Sequence, residues 1–288
     1  MPAGRPRAAA AAILMGPLLL AQGLWVRRVT PKLPEAPGAR EGVRAPAVPA
    51  VATAATTATG SAEAVPSGAA LRLLIVGDSS AAGVGAAHQD EALAGRLSAA
   101  LVAALATTVH WRLVARTGVS ARELAKLIDE AAPARFDIAL IVVGVNDVTG
   151  LRSKAAWLRD VDALAARLRN IAPGARLVAS GLPPMHLFPA LPQPLRGFLG
   201  ARAIAFDDAL GHWAARQPDA LHVPIPEMAD PSLAASDGFH PGPGAYALWA
   251  AELARAIARD GALCGQGRAP THAWPGTAPR DRRTASSA

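Results

Sequence analysis

The sequence predicts an α/β fold: a mostly parallel sheet of about five strands with helices packed over it. Two observations carry this. Short apolar runs alternate with segments of helical spacing through residues 69–264, the pattern of repeated strand–helix units and so of a parallel sheet. The chain is also 51% hydrophobic but only 4% aromatic, with alanine and leucine supplying most of the apolar content. That composition suits helices on a sheet better than an all-β sandwich.

The first strand is "LRLLIV", residues 71–76, which stops at Gly77-Asp78-Ser79-Ser80. Leu93, Leu97, Leu101 and Leu105 recur every four residues and place a helix over 91–106. "VHWRLVA" (109–115) is the second strand. Ser120 followed by Glu123 forms a capping box that opens a helix running to Ala131. "DIALIVV" (137–143) is strongly apolar, as expected of a strand covered on both faces. A long amphipathic helix covers Ser153 to Ile171, "ARLVAS" (175–180) is the fourth strand, and a helix spans Leu195 to Arg216. "ALHVPI" (220–225) is a short fifth strand, and Pro243 to Arg259 forms the last helix.

Three further segments flank this domain. In residues 1–29, Arg5 and Arg7 precede an apolar stretch from Ala8 to Val26, close to the minimum length of a membrane span. The expected role is a hydrophobic anchor, with a cleaved signal peptide as the rival; the small-x-small cleavage pattern is poor, because Leu19 stands two before Ala21. Either role makes the protein membrane-associated or exported, with the domain on the extracytoplasmic side, although Arg27, Arg28 and Lys32 keep the positive-inside rule from deciding the side. Residues 30–68 are rich in Pro, Ala, Thr and Gly and read as a linker. Residues 265–288 read as a disordered tail.

The net charge of +7 lies in the ends. Residues 1–68 carry a surplus of four positive charges, residues 265–288 a surplus of three, and the basic and acidic groups of 69–264 cancel. A nucleic-acid-binding domain would carry the excess on its folded surface, so nucleic acid is not an expected partner. Cys264 is the single cysteine, which excludes an internal disulfide and a cysteine-based metal cluster.

In a parallel sheet, ligands bind at the carboxyl ends of the strands. Those ends carry Gly77-Asp78-Ser79-Ser80, Arg116-Thr117-Gly118 and Gly144-Val145-Asn146-Asp147, and Ser236-Asp237-Gly238-Phe239-His240-Pro241 precedes the last helix. Phosphate-binding loops fail: no lysine follows Gly83 or Gly85, and Gly83-Val84-Gly85 is not completed by a third glycine. A plain turn remains open for Gly-Asp-Ser taken alone. A nucleophilic serine fits the set as a whole. Serine needs an imidazole to take its proton, and the imidazole needs a carboxylate on its other nitrogen. Asp237 and His240 are three residues apart, so one loop can present both. The developing oxyanion needs preorganised donors, and the N–H groups of Ser79 and Gly118 and the side-chain amide of Asn146 can supply them.

These blocks resemble the SGNH (GDSL-type) hydrolase family: Gly77-Asp78-Ser79, Gly118, Gly144-Val145-Asn146-Asp147 and Asp237-Gly238-Phe239-His240-Pro241 stand in the family's order over residues 71–258. The resemblance implies a flavodoxin-like three-layer α/β/α sandwich and an ester hydrolase in which Ser79 attacks, Asp237 and His240 activate it, and Ser79, Gly118 and Asn146 form the oxyanion site. The family's name-giving motif continues with leucine, whereas Ser80 and Ala81 follow here, which leaves Ser80 as a rival nucleophile. This chemistry needs no metal or cofactor.

"GLPPMHLFPALPQPLRGFLG" (181–200) lies at the same sheet edge and carries a single charge, Arg196. One reading is a rigid loop packed on the domain. The other is an apolar wall for an acyl chain, built from Met185, Leu187, Phe188 and Leu191, as small-ligand sites are usually lined. With a membrane anchor, this points to an apolar, lipid-like ester. A carbohydrate O-acetyl esterase is the main alternative, and a non-catalytic, membrane-tethered ligand-binding module is a second.

Overall fold

The computed structural model describes residues 5–47 and 70–260. In chain order the elements are α1 (Arg5–Val29), β1 (Glu41–Arg44), β2 (Leu71–Gly77), α2 (Leu93–Leu105), β3 (Val109–Ala115), α3 (Ala121–Ala131), β4 (Ile138–Val142), α4 (Val145–Thr149), α5 (Lys154–Ile171), β5 (Arg176–Ser180), α6 (Leu195–Ala214), β6 (Ala220–Val223) and α7 (Pro243–Arg259). They form a three-layer sandwich about a six-stranded sheet of order β1-β3-β2-β4-β5-β6. The pairs from β3 through β6 are parallel; β1 runs antiparallel to β3.

The strand pattern sends alternate side chains to opposite faces. Leu71, Leu73 and Ile75 of β2 join one core with Leu93, Leu97 and Leu101 of α2 and with Tyr246, Trp249, Leu253 and Ile257 of α7. Leu74 and Val76 enter the other core with Leu124 and Ile128 of α3, Trp157 and Leu164 of α5, and Phe206 and Trp213 of α6. All five residues of β4 are buried, which is why its sequence is apolar without interruption. The expected capping box at α3 is present in full, Ser120 accepting from the Glu123 N–H and the Glu123 side chain accepting from Ser120.

Two segments depart from the sequence reading. The stretch read as a linker is built into the domain over its first part. Ala36 is buried, the Ala36 N–H donates to the Ala82 carbonyl, and β1 adds a sixth, edge strand on β3. Four residues with alternating exposure carry little strand signal of their own; pairing with β3 makes the strand. Residues 48–68 of that stretch lie outside the described residues, as do Cys264 and the 265–288 tail.

Residues 5–29 are helical, but the end of α1 is docked on the domain. Val26 is buried, Leu19 packs on the same core, the Gln22 Nε2 donates to the Gln193 carbonyl, and the Gln22 Oε1 accepts from the Leu195 N–H. Leu18, Leu20, Leu24 and Trp25 stay exposed. Among the described residues, no helix is long and apolar enough to cross a membrane.

Candidate active site

β2 stands at the centre of the sheet, and the chain leaves it first toward β3 on one side and then toward β4 on the other. That reversal opens a crevice beyond the strand ends, the usual ligand position in such sheets. Register aligns the three loops that line it: Gly77 pairs with Ala115 of β3 and with Val142 of β4. A Cβ on Gly77 would meet the Val142 carbonyl at 2.4 Å, so the turn that carries Ser79 starts at a residue with no room for a side chain.

Ser79 Oγ lies 3.0 Å from His240 Nε2, and His240 Nδ1 lies 2.6 Å from Asp237 Oδ2. The other carboxylate oxygen of Asp237 accepts the N–H groups of Phe239 and His240, each at 2.9 Å. Burial works to raise the Asp237 carboxyl, but these hydrogen bonds and the imidazole outweigh it and hold it below the usual carboxylate range. With Asp237 ionised, Nδ1 carries the imidazole proton and donates it, leaving Nε2 to accept from the Ser79 hydroxyl.

The His240 loop is braced from two directions. The Ala235 N–H donates to the His240 carbonyl and the Ala190 N–H to the Gly238 carbonyl. Gly85, at φ +97°, lets the loop after Ser79 come close: a Cβ there would stand 2.3 Å from the Pro241 carbonyl oxygen. The Tyr246 hydroxyl donates to the Val84 carbonyl at 2.8 Å and ties α7 to the same loop.

Asn146 sits in the first turn of α4, beside Ser79's strand. Its Nδ2 donates to the Val119 carbonyl at 3.0 Å and lies 3.4 Å from Asp78 Oδ2. One amide thus ties the loops after β2, β3 and β4. Among the described residues, no hydrogen bond occupies the N–H of Ser79 or of Gly118, so both are free to face an anionic oxygen. Gly118 takes φ +84°. Ser80, the rival nucleophile, sends its N–H to Asp78 Oδ1; it is Ser79 that meets the imidazole.

Asp78 and Asp147 brace the loops. Asp78 is fully buried, and burial pushes its carboxyl up to about 7 despite the Ser80 N–H and the neighbouring imidazole. Asp147 accepts the Ala121 N–H at 3.0 Å, and burial raises it to about 6. Among the described residues, no His, Cys, Asp and Glu side chains are grouped to hold a metal ion.

A cleft runs from Ser79 and His240 with about 930 Å³ of empty space, counted to its open mouth. Leu187 and Phe188 line it, as expected. Met185 and Leu191 do not; they turn into the core, almost without exposure. Ile225, Met228 and Leu233 form a further wall, and Val142, Ala245 and Trp249 also line the cleft. That wall was not read from the sequence, because "PIPEMADPSL" has no period to mark it and is placed only by the return of the chain from β6 to Asp237. Glu35 was missed as well: it accepts the Thr117 N–H at 2.7 Å, one residue before Gly118.

The chain is similar in sequence and in fold to known proteins. The GDSL-like esterase Rv1075c of Mycobacterium tuberculosis is 28% identical over 271 residues, covering 90% of this chain and 81% of that protein. Among solved structures, the lipase Lip_vut3 from a goat rumen metagenome aligns with a TM-score of 0.55 at 16% identity, covering 65% of this chain and 97% of the lipase. A carbohydrate esterase family 2 enzyme with a carbohydrate-binding domain, from Corynascus thermopiles (Myceliophthora fergusii), aligns with a TM-score of 0.51 at 18% identity over 69% of each chain. At such identities the two structures speak to the fold alone. Residues 75–248, more than half of the chain, match the GDSL-like Lipase/Acylhydrolase family, and the protein therefore belongs to that family and is a carboxylic ester hydrolase.

Proposed function

We propose that the protein hydrolyses esters of apolar acyl chains through an acyl-enzyme on Ser79, at a membrane surface on the extracytoplasmic side. The observation that supports the acyl preference is the position of Ser79 and His240 at the rim of a cleft walled by Leu187, Phe188, Ile225, Met228 and Leu233. An acyl chain laid in that cleft leaves water for apolar surface, a gain of ~0.8 kcal/mol per buried methylene.

The steps follow from the geometry. Ser79 Oγ attacks the acyl carbonyl carbon as its proton passes to His240 Nε2. The carbonyl oxygen becomes an oxyanion, held by the free N–H groups of Ser79 and Gly118 and by Asn146 Nδ2, which gives up its longer 3.4 Å contact with Asp78 to reach it. Asp237, ionised and hydrogen-bonded to Nδ1, stabilises the imidazolium. His240 then protonates the leaving alcohol, and the acyl group stays on Ser79. A water gives its proton to Nε2 and attacks the acyl carbon; collapse releases the acid and restores the serine.

The membrane reading is supported by the exposed Leu18, Leu20, Leu24 and Trp25 of α1 and by Arg27 and Arg28 in its last turn, a composition that suits an interface with anionic headgroups.

A series of p-nitrophenyl esters from acetyl to octanoyl tests the substrate class. The account expects kcat/KM to rise with chain length. A flat or falling series would replace it with an acetyl-esterase reading.

A further inference from the structure

The segment before the domain supplies none of the groups named above, yet it touches two of the loops that carry them, those of Ser79 and Gly118. The Ala36 N–H donates to the Ala82 carbonyl at 3.3 Å. Gln89 Nε2 donates to the carbonyls of Ala36 and Ala82 at 3.0 and 2.9 Å, and the Gln89 N–H donates to the Pro37 carbonyl. Residues 36 and 37 are thereby stapled to the loop that begins at Ser79. One residue earlier, Glu35 Oε1 accepts the Thr117 N–H at 2.7 Å, and its Oε2 is held 3.0 Å from Arg40 Nη1. Arg40 in turn donates from Nη2 to the Ala115 carbonyl at the end of β3.

The loop bearing Gly118 is otherwise held at its two ends, by the Arg116 N–H on the Gly77 carbonyl at 3.2 Å, the Val119 N–H on the Arg116 carbonyl at 3.5 Å and the Asn146 amide on the Val119 carbonyl at 3.0 Å. Residues 116–118 are exposed, and a Cβ on Gly118 would find no heavy atom within 4 Å. Glu35 is half-buried, and although burial works to raise its carboxyl, the Thr117 and Arg40 hydrogen bonds hold it low and ionised. A charged acceptor makes a stronger hydrogen bond than a neutral one, so this contact suits a loop whose N–H must stay aimed while charge develops.

We propose that Glu35 is a positioning residue of the reaction: by holding the Thr117 N–H it keeps the Gly118 N–H aimed at the oxyanion, which makes the arm before the domain part of the working enzyme. This rests on Gly118 serving as an oxyanion donor.

The test uses the full chain carrying Glu35→Ala, Glu35→Gln or Asn146→Ala, with active serines counted by fluorophosphonate titration. Turnover of p-nitrophenyl acetate is measured per titrated serine, together with inhibition by an alkyl trifluoromethyl ketone, whose hemiketal carries the anionic oxygen. Glu35→Ala should lower kcat by about tenfold to a hundredfold, less than loss of a whole donor, and weaken the ketone by a similar factor, with KM nearly unchanged. Glu35→Gln, which keeps an acceptor for Thr117, should recover most of the loss. A Glu35→Ala enzyme with wild-type kcat per titrated serine and wild-type inhibition overturns the proposal, even if its melting temperature falls, because the arm would then be a brace and nothing more. If Asn146→Ala loses turnover and Glu35→Ala does not, the oxyanion site stands and the role of Glu35 falls; if neither does, the oxyanion site itself is misassigned.

Discussion

The side-chain amide of Asn146 lies 3.4 Å from a carboxylate oxygen of Asp78, and burial holds that carboxyl up at about 7. The pair joins the turn that carries Ser79 to the helix turn that carries the amide. It also gives the fold a pH dependence with a defined sign. In the folded protein Asp78 keeps its proton to about 7, whereas in the unfolded chain the carboxyl ionises near its ordinary value of 3.8. Between those values the folded state binds the extra proton, so stability falls as pH rises. Asp147, raised to about 6, adds to the same slope. Urea unfolding at pH 4.5 and pH 7.5 checks this: the wild type should lose more stability across the interval than Asp78→Asn. Equal losses would mean that Asp78 ionises alike in both states.

Asp237 has the opposite sign. Its carboxyl is held below the usual range, so its contribution is present above the unfolded carboxylate's value and is lost as pH falls through the folded one. Protonation of Asp237 also takes the acceptor from His240 Nδ1, so turnover should drop as that carboxyl is protonated, and activity kept well below the ordinary carboxylate range would argue against Asp237 as the partner of His240.

Asn146→Ala should lower kcat by about 10²–10³, the usual loss for one oxyanion donor, with KM little changed. Steady-state kinetics on a short activated ester read this directly. A variant with wild-type turnover would remove Asn146 from the oxyanion site.

Phe188 lines the cleft and packs edge-on against Phe239, with ring centroids 5.0 Å apart. Phe188→Ala should lower kcat/KM for an octanoyl ester about tenfold, the effect of roughly 1.4 kcal/mol of lost apolar contact. The acetyl ester should be nearly unaffected. Equal losses on both esters would show that Phe188 supports the His240 loop and not the acyl chain.

Leu18 and Leu24 project from α1 away from the domain. Replacing both with Asp should abolish flotation of the full chain with vesicles rich in phosphatidylglycerol while sparing acetyl-ester turnover. Unchanged flotation would place any membrane contact elsewhere.

Legibility of the sequence followed the physics of each segment. β4 was legible because a strand buried on both faces has to be apolar throughout, β2 because all of its residues but Arg72 are buried, and Ser120 with Glu123 marked its helix start by local hydrogen bonding alone. β1 was not, because a four-residue edge strand is made by its partner. The Ser79, Asp237 and His240 blocks were legible because the chemistry needs those residue types in short, fixed settings. The apolar loop after β5 was legible only as apolar: Leu187 and Phe188 face the cleft while Met185 and Leu191 face the core, and an aperiodic run carries no sign of which way each residue turns. Glu35 left no local signal, since its importance comes from a loop 82 residues further along the chain.

Every step of the proposed reaction depends on an activated Ser79. The direct measurement treats the folded full chain with a fluorophosphonate and locates the adduct by mass spectrometry. The account predicts a single adduct on Ser79 that is lost in His240→Ala. An adduct on Ser80, or none on a chain shown to be folded, would contradict it.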